Sequence, residues 1–298
     1  MYKVILRFLD HNFMYLSNDY FIIQHIERIF TNFIITYNKD IYCSAYFKLS
    51  SPKIYPNKSY EYLFASENDL NIEYSYEYDG LYQQWNYKDT VFPPMQIRPL
   101  KGQFLVIHGS GFTLKNKVYI MPAKSMSGKT SFTTFMVSKG AKIISDDLLF
   151  ISTTTQRVYP YKKPVGIREK GLKLIPNLEV IVKKLISHDT MTFINKEGYR
   201  TWLMDLDSLF PNCYVKVPSH VDYIVFFDKS TNFDIIENLS LKDSFLRIYR
   251  DLCNSGLYNE MKVKELMKFL STTKKISYIS TFDFDKAYND ILRINYEN

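Results

Sequence analysis

The stretch PAKSMSGKTS, from Pro122 to Ser131, constrains the fold more than any other part of the sequence. It ends in Gly-Lys-Thr, as the phosphate-binding pattern G-x-x-x-x-G-K-[ST] does, with Ala123 at the place of the first glycine. Such a loop needs small residues, so that backbone N–H groups converge on an anion, and a helix directly behind it. The pattern predicts a phosphate site formed by Ala123, Lys124, Ser125, Met126, Ser127, Gly128, Lys129, Thr130 and Ser131.

The last residues of this loop have separate expected tasks. Gly128 permits close approach of the backbone, Lys129 reaches the β- and γ-phosphates, and the Thr130 hydroxyl binds Mg²⁺, so ATP and Mg²⁺ are the expected cofactors. The alternative is a Lys-Thr pair in an ordinary surface turn. An apolar strand, KVYIMP, precedes the loop, and a helical pattern that ends at Gly140 follows it. Both neighbours favour the phosphate site.

A pair of carboxylates follows the next strand, AKIIS, as Asp146 and Asp147. In a fold of this kind that strand end lies beside the phosphates, where one carboxylate holds Mg²⁺ and another takes a proton from an attacking hydroxyl. His108 ends the apolar run FLVIH, and it reaches the Asp pair if its strand pairs with the strand before the loop. The alternatives are an Asp pair that caps a turn and a histidine with only a structural hydrogen bond.

These three features, in this order, resemble the catalytic core of bacterial HPr kinase/phosphorylase. The matching residues are Ile107-His108-Gly109, the loop, and ISDD, with 20 residues between His108 and Lys129 and 16 between Lys129 and Asp146. The segment VGIREKG (165–171) resembles the family's IRG stretch. The likeness is good over residues 103–171, and elsewhere it extends only to the architecture.

The resemblance implies an α/β fold with a P-loop, HPr-kinase-like core, which is also PEP-carboxykinase-like. It implies that Lys129 and Thr130 carry phosphate and Mg²⁺, that Asp146 is the base for a serine hydroxyl, that Asp147 assists the metal, and that His108 orients the base. It also implies that Arg168, the arginine of the IRG-like stretch, neutralises phosphate charge. For Arg168 the alternative is a plain surface arginine.

The sequence departs from this family in three places. Its loop contains fewer glycines, Gly166 stands where the family has a glutamate, and residues 1–100 show no likeness to the family's N-terminal domain. In length and organisation the chain is more similar to the HPr-kinase-like proteins of gene clusters for modified peptides, including lasso peptides. There a member phosphorylates a serine at the C-terminus of the precursor, so the resemblance implies a peptide or small-protein acceptor.

Two domains are expected. Residues 1–100 form a strand-rich region, with a possible role in substrate recognition, from the runs VILRFL, IYCSAYFKL, EYLFA and IEYSYEY and an amphipathic helix over 21–37. Residues 101–298 form the catalytic domain, joined through the proline-rich segment 93–102. Beyond the site, the patterns predict helices at 178–187, 241–253, 258–271 and 285–294, and strands at 221–227 and 275–280.

Composition argues against several other classes of protein. The net charge of +7 is spread along the chain without an arginine-rich arm, which argues against a dedicated nucleic-acid binder. Three distant cysteines without a CxxC argue against a disulfide framework or a zinc site. The sequence has no run of about 18 apolar residues and no signal-peptide pattern, so we expect a cytoplasmic protein without a membrane span. A homo-oligomer remains open.

Two classes of function fit these features. The first is a Mg-ATP-dependent serine kinase that acts on a peptide or a small protein, or on free serine. The second is a nucleotide sensor or regulatory module without transferase activity. A sensor needs the same loop but no base, so the presence of Asp146 together with His108 favours the kinase.

Overall fold

The computed structural model describes residues 1–18, 20–37, 41–50, 59–65, 71–77, 92–95, 100–123, 127–172, 175, 192–194, 200–229, 235–253, 257–280 and 283–296. The described strands are β1 (Tyr2–Phe8), β2 (His11–Ser17), β3 (Ala45–Ser50), β4 (Ser59–Ala65), β5 (Asn71–Glu77), β6 (Phe104–Leu114), β7 (Lys117–Pro122), β8 (Lys142–Ser145), β9 (Leu148–Ser152), β10 (Val158–Tyr159), β11 (Val165–Arg168), β12 (Thr192–Ile194), β13 (Arg200–Met204), β14 (Tyr223–Lys229), β15 (Ile235–Asn238) and β16 (Lys274–Ser280). The described helices are α1 (Tyr20–Ile29), α2 (Lys129–Ser138), α3 (Glu169–Leu172), α4 (Leu206–Leu209), α5 (Leu241–Tyr249), α6 (Asn259–Ser271) and α7 (Phe284–Tyr296).

These elements form two compact units. The first unit comprises Met1–Lys101 and Met191–Leu203, and the second comprises Gly102–Thr190 and Met204–Asn298. Both units contain helices and sheets, so the chain has a mixed α/β structure. Among the described helices, none combines the length and the apolar composition that a membrane crossing requires.

The first unit is built on a five-stranded sheet in the order β1-β2-β3-β4-β5. Only β2 and β3 run parallel, and the other neighbours are antiparallel. The buried core includes the ring of Phe92, which contacts the rings of Phe8, Phe13, Phe30 and Phe33. Large aromatic side chains therefore provide much of the apolar packing in this unit, as their abundance in the sequence leads one to expect.

Helix α1 is shorter than the helix predicted over residues 21–37. Its apolar side is buried as expected, through Ile23, Ile26 and Ile29, but the helix ends at Ile29. Beyond it, Ile34 bridges to Leu6 of β1, and the N–H of Ile35 donates to the carbonyl of Ile5. The β-branched run that continued the apolar pattern therefore pairs with a strand instead of continuing the helix.

The second unit has an eight-stranded mixed sheet at its centre. The order is β10-β9-β6-β7-β14-β16-β15, with β8 also paired to β6. Strand β14 runs parallel to both β7 and β16, while the other pairs are antiparallel. The predicted α/β class is confirmed at this level, and the strands at 221–227 and 275–280 correspond to β14 and β16.

Helices cover both faces of this sheet. On one face, Ile120 and Ile224 join a cluster with Ile248 of α5 and with Leu266 and Phe269 of α6. On the other face α2 and α7 pack through aromatic rings, since the ring of Phe132 contacts those of Phe112, Phe227 and Phe284. The apolar side chains on both faces of the sheet are therefore buried under helices.

Other differences from the predictions concern the ends of two elements and several strands that the sequence did not predict. Strand β6 does not end at His108 but continues to Leu114, because its first half pairs with β9 and its second half with β7. The strands that were not predicted are β2, β9, β10, β11, β12, β13 and β15. The helix predicted at 241–253 is shorter in the structure, where α5 ends at Tyr249. The helices predicted at 258–271 and 285–294 correspond to α6 and α7. The helix predicted at 178–187 lies outside the described residues.

Candidate functional site

Residues 123–131, which comprise the turn between β7 and α2 and the first three residues of α2, are called the Gly-Lys loop here. It begins where β7 ends, and the N–H of Ala123 donates to the carbonyl of His108. Gly128 has φ of 91°, a left-handed conformation that glycine adopts without strain, and it directly precedes the helix. Lys129 and Thr130 are the first two residues of α2. Residues Lys124, Ser125 and Met126 lie outside the described part of the chain.

The start of α2 is fixed from the sheet side. Within β6, Ser110 Oγ hydrogen-bonds Thr133 Oγ1 of α2 at 2.8 Å, and both residues are buried. Gly109 allows β6 and β7 to approach closely, because a Cβ at this position would lie 2.6 Å from the carbonyl oxygen of Met121 in β7. The close β6–β7 pairing brings His108 beside the beginning of the loop.

His108 and Lys129 meet at this junction. Lys129 Nζ lies 3.2 Å from His108 Nε2, and the lysine side chain is only 6% exposed. An ammonium group this far from water needs partners, because unpaired burial of a charge is costly. Lys129 Nζ also lies 3.8 Å from Asp147 Oδ1, so it belongs to an ionic cluster rather than to an ordinary surface turn.

The two consecutive carboxylates point to different partners. Asp147 has φ of 76°, which turns the chain sharply between β8 and β9, so the two side chains diverge. The Thr130 hydroxyl lies within hydrogen-bonding distance of both carboxylate oxygens of Asp146, at 3.0 and 3.1 Å. Asp147 Oδ1 lies 3.4 Å from His108 Nε2. The histidine therefore contacts Asp147, whereas the resemblance implied that it would orient Asp146.

Burial and charge separate the pKa values of the two carboxyl groups. Burial, then the neighbouring charge of Asp147, raises the pKa of Asp146 to about 6. Burial also acts to raise the pKa of Asp147, but Lys163, the hydrogen bond with His108 and the charge of Lys129 together hold it below its ordinary value. Asp146 is therefore the carboxyl group that retains its proton more readily, whereas Asp147 stays ionised.

A lysine that the sequence analysis did not identify completes this cluster. Lys163 Nζ lies 3.4 Å from Asp147 Oδ2, and its side chain is 8% exposed. In sequence, Lys162 and Lys163 look alike. Side chains alternate between two sides of an extended segment, so Lys163 lies on the same inner side as buried Tyr161, and Lys162 lies on the outer side. The sequence indicates this difference only if the segment is known to be extended.

The segment that carries Arg168 lies beside the start of α2. Strand β11 and α2 pack against each other, and a Cβ on Gly171 would lie 2.7 Å from Ser131 Oγ. Arg168 is half-buried at the end of β11. Ser131 and Arg168 are thus on neighbouring elements, whereas His108, Lys129, Thr130, Asp146 and Asp147 form the cluster of direct contacts.

The described residues around the loop suit a phosphate and a hard metal ion. Among the described residues, Ser127 Oγ is buried without a hydrogen-bond partner, so the loop holds an unused polar group beside Gly128. The described chain contains no group of three or more His, Cys, Asp or Glu side chains that could hold a metal by themselves. Mg²⁺ does not require one, since it binds through one or two carboxylates together with substrate phosphates. Thr130 and Asp146 offer such oxygens.

A small cavity lies next to the loop within the second unit. Most of its lining is apolar, with Lys129 as the one charged residue. The lining residues are Met121, Ala123, Ser127, Gly128, Lys129, Phe132, Phe227 and Phe284.

No protein-family description and no curated protein matches this sequence. Among solved structures, the chain is similar to the HPr(Ser) kinase/phosphatase from Coxiella burnetii, with a TM-score of 0.32 and 9% sequence identity. The match covers 64% of this chain and 93% of that chain. A TM-score this low does not carry the neighbour's activity over to this chain.

Proposed function

We propose that this protein is a Mg-ATP-dependent kinase that transfers the γ-phosphoryl group to a serine hydroxyl of a peptide or small protein. The observation that carries the proposal is the convergence of Lys129, Thr130, Asp146, Asp147 and His108 at the start of α2, directly after Gly128. Phosphoryl transfer needs positioning and charge neutralisation more than covalent chemistry, and these groups supply both.

The phosphates would be held by the Gly-Lys loop, whose nine proposed residues run from Ala123 to Ser131. Lys129 would contact the β- and γ-phosphates, and the backbone N–H groups at the start of α2 would face the anion. Mg²⁺, when bound, offsets phosphate charge and orients the γ-phosphoryl group. Thr130 and Asp146 would hold that ion, because the hydroxyl and the carboxylate already lie together.

We assign the role of general base to Asp147 and that of metal ligand to Asp146, the reverse of the division that the resemblance implied. Asp147 is 38% exposed at its side chain, so an acceptor hydroxyl can reach it, and it contacts His108. Asp146 is buried against Thr130. The acceptor oxygen attacks the γ-phosphorus, the bond to the leaving ADP oxygen breaks, and the hydroxyl proton passes to Asp147.

The remaining proposed parts lie further from the cluster. Arg168 would neutralise phosphate charge from the segment that packs beside α2. Residues 1–100 would form a region that recognises the acceptor, since a strand-rich unit can bind an extended peptide at a sheet edge. The catalytic domain would lie in 101–298, apart from residues 191–203, which belong to the first unit. ATP is supplied in the cytoplasm, the compartment in which we expect the enzyme to act.

The competing function is a nucleotide sensor without transferase activity. It would require the loop and Lys129 but would have no use for a partly exposed carboxylate that contacts a histidine. The contact between His108 and Asp147 therefore favours the kinase.

The test is phosphoryl transfer followed by mass spectrometry. The purified protein is incubated with Mg-ATP and, in separate reactions, with free serine and with peptides encoded beside its gene. We expect one added phosphate on a serine, lost in Asp147→Asn and kept in Asp243→Asn, which makes the same substitution at an exposed position of α5. ATP binding with no transfer to any acceptor would instead support the sensor.

A further inference from the structure

Lys163 is held in place by the chain around it more firmly than a surface lysine would be. The N–H of Tyr161 donates to the carbonyl of Ile144, which pairs this segment with β8. The Tyr214 hydroxyl donates to the carbonyl of Lys163 at 3.2 Å. The preceding Lys162 is bound to Asp207 and lies 3.7 Å from Asp205. These contacts fix the backbone, so the buried ammonium of Lys163 is directed at the cluster.

The carboxylate of Asp147 lies between two lysines that come from different parts of the chain. Lys129, from the start of α2, approaches Oδ1 at 3.8 Å, and Lys163, from the segment after β10, approaches Oδ2 at 3.4 Å. Both lysine side chains are less than a tenth exposed. Two buried cations that converge on one anion beside a helix N-terminus form a site for anionic oxygen.

A carboxylate and a terminal phosphate present the same kind of oxygen to an ammonium group. The phosphate carries more charge and more acceptor oxygens, so it competes well for two lysines. Lys129 is already the proposed ligand of the β- and γ-phosphates. A nucleotide that draws Lys129 away from Asp147 also brings its terminal phosphate towards the position that Lys163 faces.

We propose that Lys163 is a second phosphate-binding residue, and that the terminal phosphate of ATP replaces the Asp147 carboxylate as the shared partner of Lys129 and Lys163. This inference rests on the proposed function and deepens it. The exchange of ion-pair partners has a consequence for the reaction. Asp147 is held by the lysines while the site is without a nucleotide, and it becomes available to the acceptor hydroxyl when ATP binds.

The alternative to phosphate binding is that Lys163 serves only to neutralise the charge of Asp147. Simple removal of Lys163 does not separate these roles, because it leaves Asp147 with one cationic partner fewer near the phosphates and weakens ATP binding in either case. The Asp147→Asn background does separate them. In that background the carboxylate that Lys163 contacts is gone, so a further effect of Lys163 on ATP binding reports its contact with phosphate.

The experiment is isothermal titration calorimetry of Mg-ATP and of AMP against wild type, Asp147→Asn, Asp147→Asn/Lys163→Met and Lys142→Met. We expect Asp147→Asn to bind Mg-ATP more tightly than wild type, because both lysines are released. Adding Lys163→Met should then weaken Mg-ATP binding by at least about tenfold while AMP binding changes little. Lys142→Met controls for the loss of one positive charge.

Equal affinity of Asp147→Asn and the double variant for Mg-ATP would overturn the proposal and leave Lys163 as a partner of Asp147 alone. A wild-type protein that binds no Mg-ATP would instead contradict the proposed function itself, and the Lys163 proposal with it. Circular dichroism checks the fold of each variant. If the Met variant does not fold, Lys163→Gln removes the charge, keeps a polar end, and is subject to the same two outcomes.

Discussion

At the scale of single residues, the candidate site depends on contacts that are local and on others that are not. The Gly-Lys loop, Lys129, Thr130 and the Asp pair were predictable because their chemistry follows from short spacing along the chain. Which carboxylate faces which partner was not predictable. It depends on the left-handed φ of Asp147, and aspartate adopts that conformation more readily than most residues. Lys163 was missed because its contact depends on pairing with β8.

The Thr130 hydroxyl should matter through Mg²⁺. Thr130→Val keeps the shape of the side chain and removes the hydroxyl that contacts Asp146. We expect the Mg²⁺-dependent part of ATP affinity to fall by about tenfold or more, and Thr130→Ser to retain it. Equilibrium dialysis with labelled ATP, with Mg²⁺ and with EDTA, measures both. Equal affinity of the valine variant and wild type in Mg²⁺ would remove Thr130 from the metal site.

The buried carboxyl group of Asp146 should limit stability at neutral pH. Its folded-state pKa of about 6 lies above the ordinary value, so it stabilises the fold least once pH rises above 6, where a charge must remain buried. Without Mg²⁺ and nucleotide, Asp146→Asn should therefore raise the melting temperature relative to wild type more at pH 8 than at pH 5.

Differential scanning fluorimetry in EDTA at the two pH values measures this difference. Asn keeps an oxygen that can accept a hydrogen bond from Thr130, so the variant changes charge more than shape. A melting temperature difference that is the same at pH 5 and pH 8 would show that Asp146 carries no buried charge. The same variant should bind Mg-ATP poorly, which would mark Asp146 as a residue kept for function at the expense of stability.

At the scale of elements, apolar runs predicted which segments form strands and helices better than they predicted where those segments end. The pattern of α2 was clear from sequence, with Phe132, Phe135 and Met136 buried. The apolar run FLVIH predicts a strand that ends at His108, directly before Gly109. In the structure the strand continues through Gly109 and Gly111, and close packing against β7 and Leu149 of β9 explains why they are small.

Helix α2 should depend on its aromatic side. Phe135 is fully buried and its ring contacts Phe132 and Phe284. Phe135→Ala should cost about 3–5 kcal/mol of unfolding free energy, from lost transfer energy and the cavity left behind. Tyr258, 74% exposed in the same unit, serves as the control, and Tyr258→Ala should change stability by less than about 0.5 kcal/mol. Urea denaturation measures both, and equal effects would contradict the packing of α2.

At the scale of the whole molecule, the mixed α/β class was predictable from the sequence, but the order of the strands was not. The pairing of β14 with both β7 and β16 joins segments about a hundred and about fifty residues apart. No local pattern encodes such a neighbour, and the same holds for the return of residues 191–203 to the first unit. The register of each strand and the choice of its neighbouring strands follow from the packing of the complete core.

All three thiols should be poor nucleophiles in the folded protein. Burial raises the pKa of Cys43 and Cys213, and burial followed by the charges of Asp147 and Asp251 raises that of Cys253 to about 11. At pH 8 the native protein should react slowly with a disulfide reagent, and three thiols should react rapidly after unfolding in guanidinium at the same pH. A fast-reacting thiol in the native protein would contradict the burial of that cysteine.

The central claim is that the Gly-Lys loop binds the phosphates of Mg-ATP, with Lys129 as a phosphate ligand and with Thr130 and Asp146 as ligands of the metal. Calorimetric titration of Mg-ATP into wild type, Lys129→Met and Lys142→Met tests it most directly, because it requires no knowledge of the acceptor. Wild type and Lys142→Met should bind with equal affinity, and Lys129→Met should lose about tenfold or more. Equal binding by wild type and Lys129→Met, or no binding by wild type, would contradict the claim.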